Sequence, residues 1–382
     1  MRPDATCDVV VAGGGPAGAT AAYLLAAQGL QVRLFDRSIF PRPKLCAGLL
    51  TWKTIDLLAR LFAIGADDLI RNGLVTHTCR DYRIYYHRGE IARGRLDFPF
   101  HFADRSLYDH HWLKTAQSAG VRIETGSGVR RVDCGRAEVT LEDGRTIRAK
   151  IIIGADGVWS KVRRAIHANG LSQKGWRSGL AATIEAHQPY TGGTSEPAFA
   201  SLHFGHVSWG YAWSFPGATR RTVGVACLPR KNGGSLRRAF SDCLEAMDAG
   251  AAPASWQSHP LPYGNYLRRP AHRRALLIGD ACGLADPLLG EGIYYAHRSA
   301  EIAVQAITAA KGQWDAVASR YGSLLQRDLL RELRWIKVLR GLLFIGGQRR
   351  RYRGLKLFCR LFPKRLEATV QGNRPFSRLL LP

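Results

Sequence analysis

The sequence predicts an α/β protein (α+β overall) in which a parallel-sheet domain holds an inserted antiparallel sheet and precedes a basic helical region. Three stretches support this fold class. An apolar β-branched run, Val9–Val11, leads into a glycine turn and a helix. Residues 171–270 are rich in Thr, Val, Tyr and Trp, with little helical periodicity before Leu236, and residues from 311 onward are basic and helical in pattern. The length of 382 residues is enough for two or three compact units.

The glycine turn after the first strand has the spacing of a dinucleotide-binding loop. Gly13, Gly15 and Gly18 fill the G-x-G-x-x-G positions. In such a loop the first glycine permits the tight turn, the second lets backbone approach a pyrophosphate, and the third lets the helix pack against the strand. The next predicted strand ends on Asp36, whose carboxylate is placed to accept a hydrogen bond from a ribose hydroxyl. Strand, helix and acid together predict a dinucleotide site.

The formal net charge is +25, from 55 Lys and Arg against 30 Asp and Glu. An excess of this size is typical of a protein that meets nucleic acid, an anionic membrane, an acidic substrate or an acidic electron donor. We do not expect nucleic-acid binding, because no zinc-ligand spacing or RNA-binding signature accompanies the charge. The adjacent His110 and His111 point to different faces of a predicted helix, so we expect no metal site.

The eight cysteines are scattered along the chain, without a C-x-x-C pair. This usage is typical of reduced thiols in a cytoplasmic protein. The first predicted strand begins within a few residues of the N-terminus, which leaves no room for a signal peptide. No uninterrupted apolar run of about 18 residues occurs. We therefore expect a cytoplasmic location and no spanning helix.

Near the C-terminus, basic residues alternate with apolar ones. Between Arg320 and Arg365 the lysines and arginines greatly outnumber the acids. The pattern is typical of a basic amphipathic surface that lies on an anionic bilayer, which would place the protein peripherally at the inner face of the membrane. The alternative is a solvated helical cap with ordinary core contacts.

Two other stretches are candidates for chemistry. Cys46 lies in a loop marked by proline and glycine, and it is either a buried structural thiol or an exposed thiol at a ligand site. Tyr211, Trp213 and Phe215 alternate along a predicted strand ahead of Pro216, so their rings lie on one face. That face is either plain sheet core or the wall of an apolar substrate channel.

Two later turns join the first to suggest a family. Gly154-Ala155-Asp156-Gly157 and Gly279-Asp280…Asp286-Pro287 each follow a buried apolar strand. With the first glycine turn and Asp36, they resemble the three FAD fingerprints of the aromatic-hydroxylase-like flavoproteins. Within that superfamily the chain resembles the geranylgeranyl reductase family, in the segments Pro41-Arg42-x-Lys44-x-Cys46, Tyr211-x-Trp213-x-Phe215-Pro216 and Asp286-Pro287-x-x-Gly290-Glu291-Gly292-Ile293.

The resemblance implies bound FAD in a Rossmann-like domain, an antiparallel-sheet catalytic domain, and reduction of isolated isoprenoid double bonds. It implies a catalytic role for Cys46, facing flavin and substrate, and a lipid-holding strand formed by Tyr211, Trp213, Phe215 and Pro216. The cofactor-binding residues that it implies, together with the turn residues above, are Gly13, Gly15, Pro16, Ala17, Gly18, Asp36, Arg37, Lys44, Cys46, Ala47, Gly48, Arg105, Val129, Asp156, Gly157, Gly279, Asp280, Pro287, Gly290, Glu291, Gly292 and Ile293.

The predicted FAD-binding domain is discontinuous and comprises residues 1–76, 104–170 and 271–310. Residues 77–103 and 171–270 form the predicted catalytic domain, and residues 311–382 the basic C-terminal helical region. Because no second G-x-G-x-x-G occurs, we expect electrons from transiently bound NAD(P)H or from an electron-donor protein such as a ferredoxin. The family pattern differs at Ala47, where a glycine is usual, and at Ser208-Trp209, where a proline often precedes the aromatic motif.

A second enzyme class shares these FAD motifs. In a monooxygenase or halogenase of the aromatic-hydroxylase type, reduced flavin reacts with O₂ rather than with an alkene, and the substrate is apolar or aromatic. That class does not require the Cys46 loop or the aromatic strand. The sequence therefore favours an alkene reductase with an isoprenoid lipid substrate, and keeps the oxygen-using enzyme as the alternative.

Overall fold

A computed structural model describes residues 3–168, 175–189, 198–247 and 255–379. By its contacts the chain forms two compact units. The first comprises residues 1–43, 106–177 and 262–333, and the second comprises residues 44–105, 178–261 and 334–382. Each is built around its own sheet core.

The strands, in chain order, are β1 (Ala5–Thr6), β2 (Val9–Ala12), β3 (Val32–Asp36), β4 (Leu49–Leu50), β5 (Val75–Tyr86), β6 (Gly89–Ala103), β7 (Arg122–Thr125), β8 (Val129–Asp133), β9 (Glu138–Leu141), β10 (Thr146–Arg148), β11 (Ile151–Gly154), β12 (Leu180–Pro189), β13 (Phe199–Phe204), β14 (Gly210–Phe215), β15 (Arg220–Cys227), β16 (Gln257–Ser258), β17 (Leu261–Pro262), β18 (Ala271–His272) and β19 (Ala275–Leu277).

The helices are α1 (Pro16–Ala26), α2 (Trp52–Phe62), α3 (Ala66–Arg71), α4 (Arg105–Ser118), α5 (Lys161–Ala168), α6 (Leu236–Ala246), α7 (Ile293–Ala309), α8 (Val317–Leu325), α9 (Arg331–Gly341), α10 (Gly347–Arg349), α11 (Arg353–Leu361) and α12 (Pro363–Gln371). Two π-helical segments, Gln326–Leu330 and Leu342–Gly346, lie directly before α9 and α10. In the part of the chain that the structure describes, no helix combines the length and apolar composition needed to cross a bilayer.

The first unit contains the predicted parallel sheet. Its strand order is β18-β19-β11-β2-β3-β7, and neighbours run parallel except that β18 is antiparallel to β19. The residues of β2 and β11 are fully buried, as expected for central strands covered on both faces. A smaller sheet has the order β1-β10-β9-β8, in which β8, β9 and β10 form an antiparallel meander. The α/β fold class is confirmed.

Helices α1 and α7 pack against each other in the first unit, around a buried polar group. The imidazole of His297 forms hydrogen bonds with Thr20 Oγ1 at 2.7 Å and with the hydroxyl of Tyr108 at 2.8 Å. Both ring nitrogens therefore have partners, so this fully buried histidine carries little desolvation cost. The contact fixes α1, whose N-terminus follows the glycine turn.

The second unit is a largely antiparallel sheet of order β16-β12-β15-β14-β13-β5-β6-β4, in which β13 and β5 pair in parallel. Helix α6 covers one face, where Phe240 and Leu244 pack on Ile184, Val223 and Val225. Residues that alternate with these along the strands point to the opposite face. The antiparallel sheet predicted from residues 77–103 and 171–270 is present in the described parts of those ranges.

The unit boundaries differ from those predicted. Residues 44–76 lie in the second unit, because β4 pairs with β6 while α2 and α3 pack against β6 and β5. The C-terminal region, predicted as one domain, is divided after Leu333. Its first part joins the first unit, where α8 packs on α7, and its second part joins the second unit, where α11 and α12 pack on β6.

Candidate functional site

The glycine turn between β2 and α1 closes tightly against the neighbouring strand. Gly13 has φ +106°, and a Cβ there would overlap the carbonyl oxygen of Ala155, the residue after β11. A Cβ on Gly18 would overlap the carbonyl oxygen of Gly13. Only residues without side chains fit this turn, which brings the start of α1 to the carboxyl edge of the sheet, where parallel α/β sheets bind ligands.

The N-terminus of α1 has the character of an anion site. Its N-cap is Gly15, which has no side chain to occupy the N–H groups of the first turn. Nη2 of Arg42 lies 3.7 Å from the position that a Cβ of Gly15 would take, and the guanidinium pairs with buried Asp109 at 3.4 Å. The helix dipole and this cation both favour a bound anion such as a pyrophosphate. Sequence reasoning missed Arg42, although its place between two prolines was a signal.

Asp36 is positioned by backbone donors at the end of β3. Oδ2 accepts the N–H of Gly14 at 2.6 Å, and Oδ1 accepts the N–H of Ser38 at 2.7 Å. The residue is 8% exposed. The side chain of Arg37 lies beside Gly128, which precedes the predicted Val129. The acid is thus held against the glycine turn, where an adenosine ribose would reach it.

The second turn follows β11 and starts α5. Oδ2 of Asp156 accepts the N–H of Lys161 at 2.6 Å and that of Val162 at 3.3 Å, while Ser160 Oγ accepts the N–H of Arg163 at 2.9 Å. Burial raises the pKa of the Asp156 carboxyl. Oδ1 of Asp156 is buried and has no hydrogen-bond partner among the residues that the structure describes. Ser160 therefore caps α5, and Asp156 also caps it, with one oxygen left for another donor.

The third turn follows β19 and leads into α7. Gly279 has φ +54°, and its N–H donates to Ser299 Oγ at 2.9 Å. Oδ1 of Asp280 lies 3.6 Å from the position that a Cβ of Gly292, the N-cap of α7, would take. Buried Asp286 folds the loop between them by accepting the N–H groups of Leu288 and Leu289, both at 2.7 Å. The turn therefore joins an acid to a second glycine-capped helix N-terminus, which Pro287, Gly290, Glu291 and Ile293 surround in sequence.

These features of the first unit fit FAD. The open helix N-terminus with Arg42 suits its pyrophosphate, and Asp36 suits its ribose. Gly13 and Gly18 allow the tight turn and the close packing of α1, and Gly15 lets the backbone approach the pyrophosphate. These features follow the carboxyl ends of neighbouring strands of the same parallel sheet. The fold itself therefore brings them together.

The remaining predicted residues lie in the second unit, where the Cys46 loop (residues 44–48) is held at the end of β6. The backbone N–H of Ala103 donates to the carbonyl oxygen of Gly48 at 2.9 Å. Gly48 has φ +72°, and a Cβ there would overlap the carbonyl oxygen of Ala103. Sγ of half-buried Cys46 accepts the N–H of Gly48 at 3.4 Å. The loop is thus tightly folded around its thiol.

The structure adds an acid to this loop that sequence reasoning missed. Glu185 on β12 is 5% exposed, and burial raises the pKa of its carboxyl to about 7. Smaller opposing effects come from the backbone N–H of Cys46, from the positive charges of Lys44 and Arg105, and from the indole of Trp213. The available signal was one acid within the apolar strand Leu180–Pro189. Lys44 and Cys46 from the loop and Arg105 from the start of α4, all predicted as site residues, act on the Glu185 carboxyl.

The predicted aromatic row (Tyr211, Trp213 and Phe215) lies on one face of β14. Ring centroids are 6.2 Å apart for the first pair and 6.5 Å for the second. Tyr211 also contacts Phe204 at 5.9 Å, and Phe215 contacts Phe102 at 5.5 Å. The common face is confirmed. Its neighbours make the row continuous with the sheet core, while Trp213 extends it towards Glu185.

A cavity of about 810 Å³ also lies in the second unit. Its lining includes the apolar side chains of Trp52, Ile70 and Phe98 and the imidazoles of His77 and His101. Burial lowers the pKa of both histidines, so they are neutral at pH 7. No sequence motif marks this cavity, because its walls come from β5, β6, α2 and α3.

The C-terminal part of the second unit exposes both apolar and basic side chains, which together we call the C-terminal surface. Its exposed apolar residues are Trp335, Val338, Leu342, Ile345, Leu357, Leu361 and Phe362. Its exposed basic residues are Arg334, Lys337, Arg349, Arg350, Arg351, Arg353, Lys356, Arg360 and Lys364. The alternating residues Ile336, Phe344, Tyr352 and Cys359 are buried. The segment is therefore amphipathic.

Comparison with known proteins identifies the class. The family described as "FAD binding domain" matches residues 6–311, so the chain is an FAD-binding-domain flavoprotein. It is 31% identical to a menaquinone reductase of Mycolicibacterium smegmatis, over 85% of this chain and 81% of the relative. It is 30% identical to a geranylgeranyl diphosphate reductase of Rhodobacter capsulatus, over 79% of this chain and 75% of that relative. Within the FAD-binding class, the chain belongs to the geranylgeranyl reductase family.

Solved structures share the fold. A geranylgeranyl bacteriochlorophyll reductase-like protein from Thermoplasma acidophilum superposes with a TM-score of 0.77 at 21% identity, over 88% of this chain and 87% of that one. The halogenase PltM superposes with a TM-score of 0.69 at 16% identity, over 96% of this chain and 86% of PltM. A geranylgeranyl bacteriochlorophyll reductase-like protein and a halogenase therefore share this architecture, and the fold alone does not select between their reactions.

Proposed function

We propose that the protein is an FAD-dependent oxidoreductase that reduces isolated C=C bonds of a polyprenyl, geranylgeranyl-type lipid. The observation that carries the proposal is the aromatic row of β14, which extends through Trp213 to Glu185 and the Cys46 loop. An oxygen-using flavoenzyme does not require this combination. The similarity to a geranylgeranyl diphosphate reductase supports it.

The first unit would hold the cofactor. The N-terminus of α1 and Arg42 would bind the pyrophosphate, Asp36 the adenosine ribose, and Asp280 the ribityl or pyrophosphate portion. When bound and reduced, FAD supplies a hydride. The residues around the flavin would bind and orient it. The dipole of α7, whose N-cap is Gly292, favours negative charge near the N-terminus of that helix.

The second unit would hold the lipid. An isolated C=C bond has no carbonyl group to polarise, so its reduction depends on positioning and on the exclusion of water. Trp213 is 8% exposed and Tyr211 9%, and such rings offer an apolar face to a prenyl chain. Cys46 would orient the alkene at the end of this face. The second hydrogen arrives as a proton, and the Cys46 thiol and a water are two candidate donors.

Two partners belong to the proposal. The C-terminal surface supports peripheral binding to an anionic membrane, because its apolar side chains can enter the interface while its cations meet the headgroups. A polyprenyl lipid would be reached there. The net charge of +25 also suits an acidic electron carrier such as a ferredoxin, and NAD(P)H is the other candidate reductant.

The test is anaerobic reduction of the FAD-loaded protein with dithionite, followed by geranylgeranyl diphosphate or a polyprenyl quinone. A mass gain of two hydrogens per reduced bond is the expected result. Heat-denatured protein and free FAD serve as controls. If neither lipid gains mass while the flavin is reduced, the proposed reaction is wrong.

The alternative is a monooxygenase or halogenase, which the likeness to PltM keeps open. Such an enzyme would consume O₂ in the presence of an apolar or aromatic substrate. Oxygen uptake that depends on substrate would favour it, and lipid reduction without oxygen would exclude it.

A further inference from the structure

Glu185, Gly224 and Trp213 lie in one row across three strands of the second unit. Glu185 on β12 pairs with Gly224 on β15, and Gly224 pairs with Trp213 on β14. Directly paired residues of antiparallel strands share a face of the sheet. Helix α6 packs on Ile184 and Val223, which alternate with this row, so Glu185 and Trp213 point to the face opposite α6.

The middle position of this row is open because it is a glycine. A Cβ on Gly224 would overlap Cζ2 of Trp213, so the indole lies over this residue and reaches across it towards β12. Within the described parts of the chain, Oε2 of Glu185 and Nε1 of Trp213 are both buried without a hydrogen-bond partner, although the indole lies near enough to lower the pKa of the carboxyl slightly. A carboxyl oxygen with unused hydrogen-bonding capacity therefore lies at the end of the aromatic row.

The groups that face Glu185 come from several elements. The backbone N–H of Cys46 binds its carboxyl, Lys44 and Arg105 supply positive charge from the Cys46 loop and the start of α4, and Trp213 supplies the indole. On its own strand, His187 follows on the same face, where its ring bonds Thr222 Oγ1 at 3.1 Å. The two cations favour the ionised acid, yet the loss of hydration outweighs them.

We propose that Glu185 is the general acid that delivers the second hydrogen to the alkene. The inference rests on the proposed function. One alkene carbon accepts the hydride, the π bond breaks, and the other carbon forms a C–H bond with the carboxyl proton of Glu185. The two electrons gained by the alkene come from oxidation of the reduced flavin. The carboxylate that remains takes a new proton from water, and Lys44 and Arg105 stabilise it meanwhile.

Two properties of the site support this assignment over Cys46 or water. The carboxyl is protonated below about pH 7, so an acid is present at neutral pH, where an ordinary glutamate is ionised. Among the described residues its Oε2 also has no hydrogen-bond partner, and the carboxyl lies at the end of the aromatic row, as delivery of a proton to a hydrocarbon requires. General acids matched to the working pH in this way contribute about 10²- to 10⁴-fold to rate.

The test uses Glu185→Gln in the FAD-loaded protein, because an amide oxygen still accepts the Cys46 N–H but cannot act as an acid. We expect lipid reduction to fall about 100-fold or more, with unchanged FAD content and affinity for geranylgeranyl diphosphate. In the wild type the rate should fall as pH rises above about 7, and this limb should be absent from the residual rate of the variant. Glu245→Gln on the exposed side of α6 is the matched control.

A second readout does not depend on activity. The infrared difference between wild type and Glu185→Gln should show the C=O band of a protonated carboxyl near neutral pH, which a purely structural anchor of the Cys46 loop would not require. Wild-type turnover in Glu185→Gln, a retained pH limb, or an ionised carboxyl throughout would overturn the assignment alone. If the wild type reduces no lipid, the proposed function fails together with it.

Discussion

The N–H of Gly14 donates to Oδ2 of Asp36 at 2.6 Å, which ties the glycine turn to the acid at the end of the next strand. The bond crosses from β2 to β3, and the pairing of Ala12 with Phe35 places the two ends side by side. Asp36 is therefore both part of the frame of the cofactor loop and a candidate ligand for the ribose.

Substitution of Asp36 should weaken FAD binding. Asp36→Ala removes the acceptor for Gly14 and for the ribose, and hydrogen bonds to charged groups are each worth about 1.5–3 kcal/mol, so affinity should fall about tenfold to a hundredfold. Asp36→Asn keeps an acceptor oxygen, so its affinity for FAD should fall less. Flavin absorbance after gel filtration measures the loading, with Asp143→Ala in an exposed turn as control. Equal loading of all three variants would contradict the ribose role.

Substitution of Gly18 should abolish FAD loading and lower stability. In Gly18→Ala the new methyl group overlaps the carbonyl oxygen of Gly13, so α1 must move away from the strand, at a cost of several kcal/mol. Gly322→Ala is the control, because its Cβ meets nothing within 4 Å and α8 gains helix propensity, about 1 kcal/mol. The midpoint temperature of thermal unfolding should fall in Gly18→Ala and rise in Gly322→Ala. Normal flavin content in Gly18→Ala would refute the tight turn.

Substitution of Cys46 tests the thiol separately from the acid. We expect Cys46→Ala to retain FAD. Its rate of lipid reduction should be lower by about tenfold or more, because the alkene loses a positioning contact. The pH limb assigned to Glu185 should remain. Cys7→Ala in the first unit controls for loss of a thiol. Full turnover of Cys46→Ala with intact flavin would show that its side chain has no role.

The C-terminal surface should mediate membrane binding. Leu342→Gln combined with Ile345→Gln removes two exposed apolar side chains, so affinity for anionic vesicles should fall about tenfold or more. Added salt should weaken binding of the wild type, because the cations are exposed. Flotation with vesicles measures both effects, and Ile39→Gln, another exposed apolar residue, is the control. Unchanged flotation, or a strong shift of DNA instead, would exclude this surface as a membrane site.

Stability should depend on pH through Glu185. Its pKa is about 7 in the folded protein and about 4.3 in an unfolded chain, so between these values the folded state binds more protons. The free energy of unfolding contributed by this group is therefore fully present at low pH and is lost as pH rises towards and through 7, at about 1.4 kcal/mol per unit of pKa difference. Relative to Glu185→Gln, the wild type should lose stability over this window. The free energy of unfolding in urea is measured for both proteins across this pH range. A constant difference between wild type and Glu185→Gln would contradict the prediction.

Local features were predictable because their causes are local. The glycine turn before α1, the position of Asp36 at the end of β3 and the shared face of Tyr211, Trp213 and Phe215 follow from residue spacing and side-chain chemistry over a few residues. The domain boundaries were less predictable. The stretch 44–76 carries no signal for its partner, since β4 and α2 are assigned to a unit only by their contacts with β6.

The sequence by itself determined the dinucleotide turn, the acid that follows it and the family, because each depends on residues at short fixed spacing. The tertiary structure decided which distant residues act together. Arg42 reaches the glycine turn through its ion pair with Asp109, and Glu185 meets the Cys46 loop and Trp213 through strand register across Gly224. A one-residue shift of that register would turn Glu185 to the opposite face, and long-range pairing of this kind has no local signature.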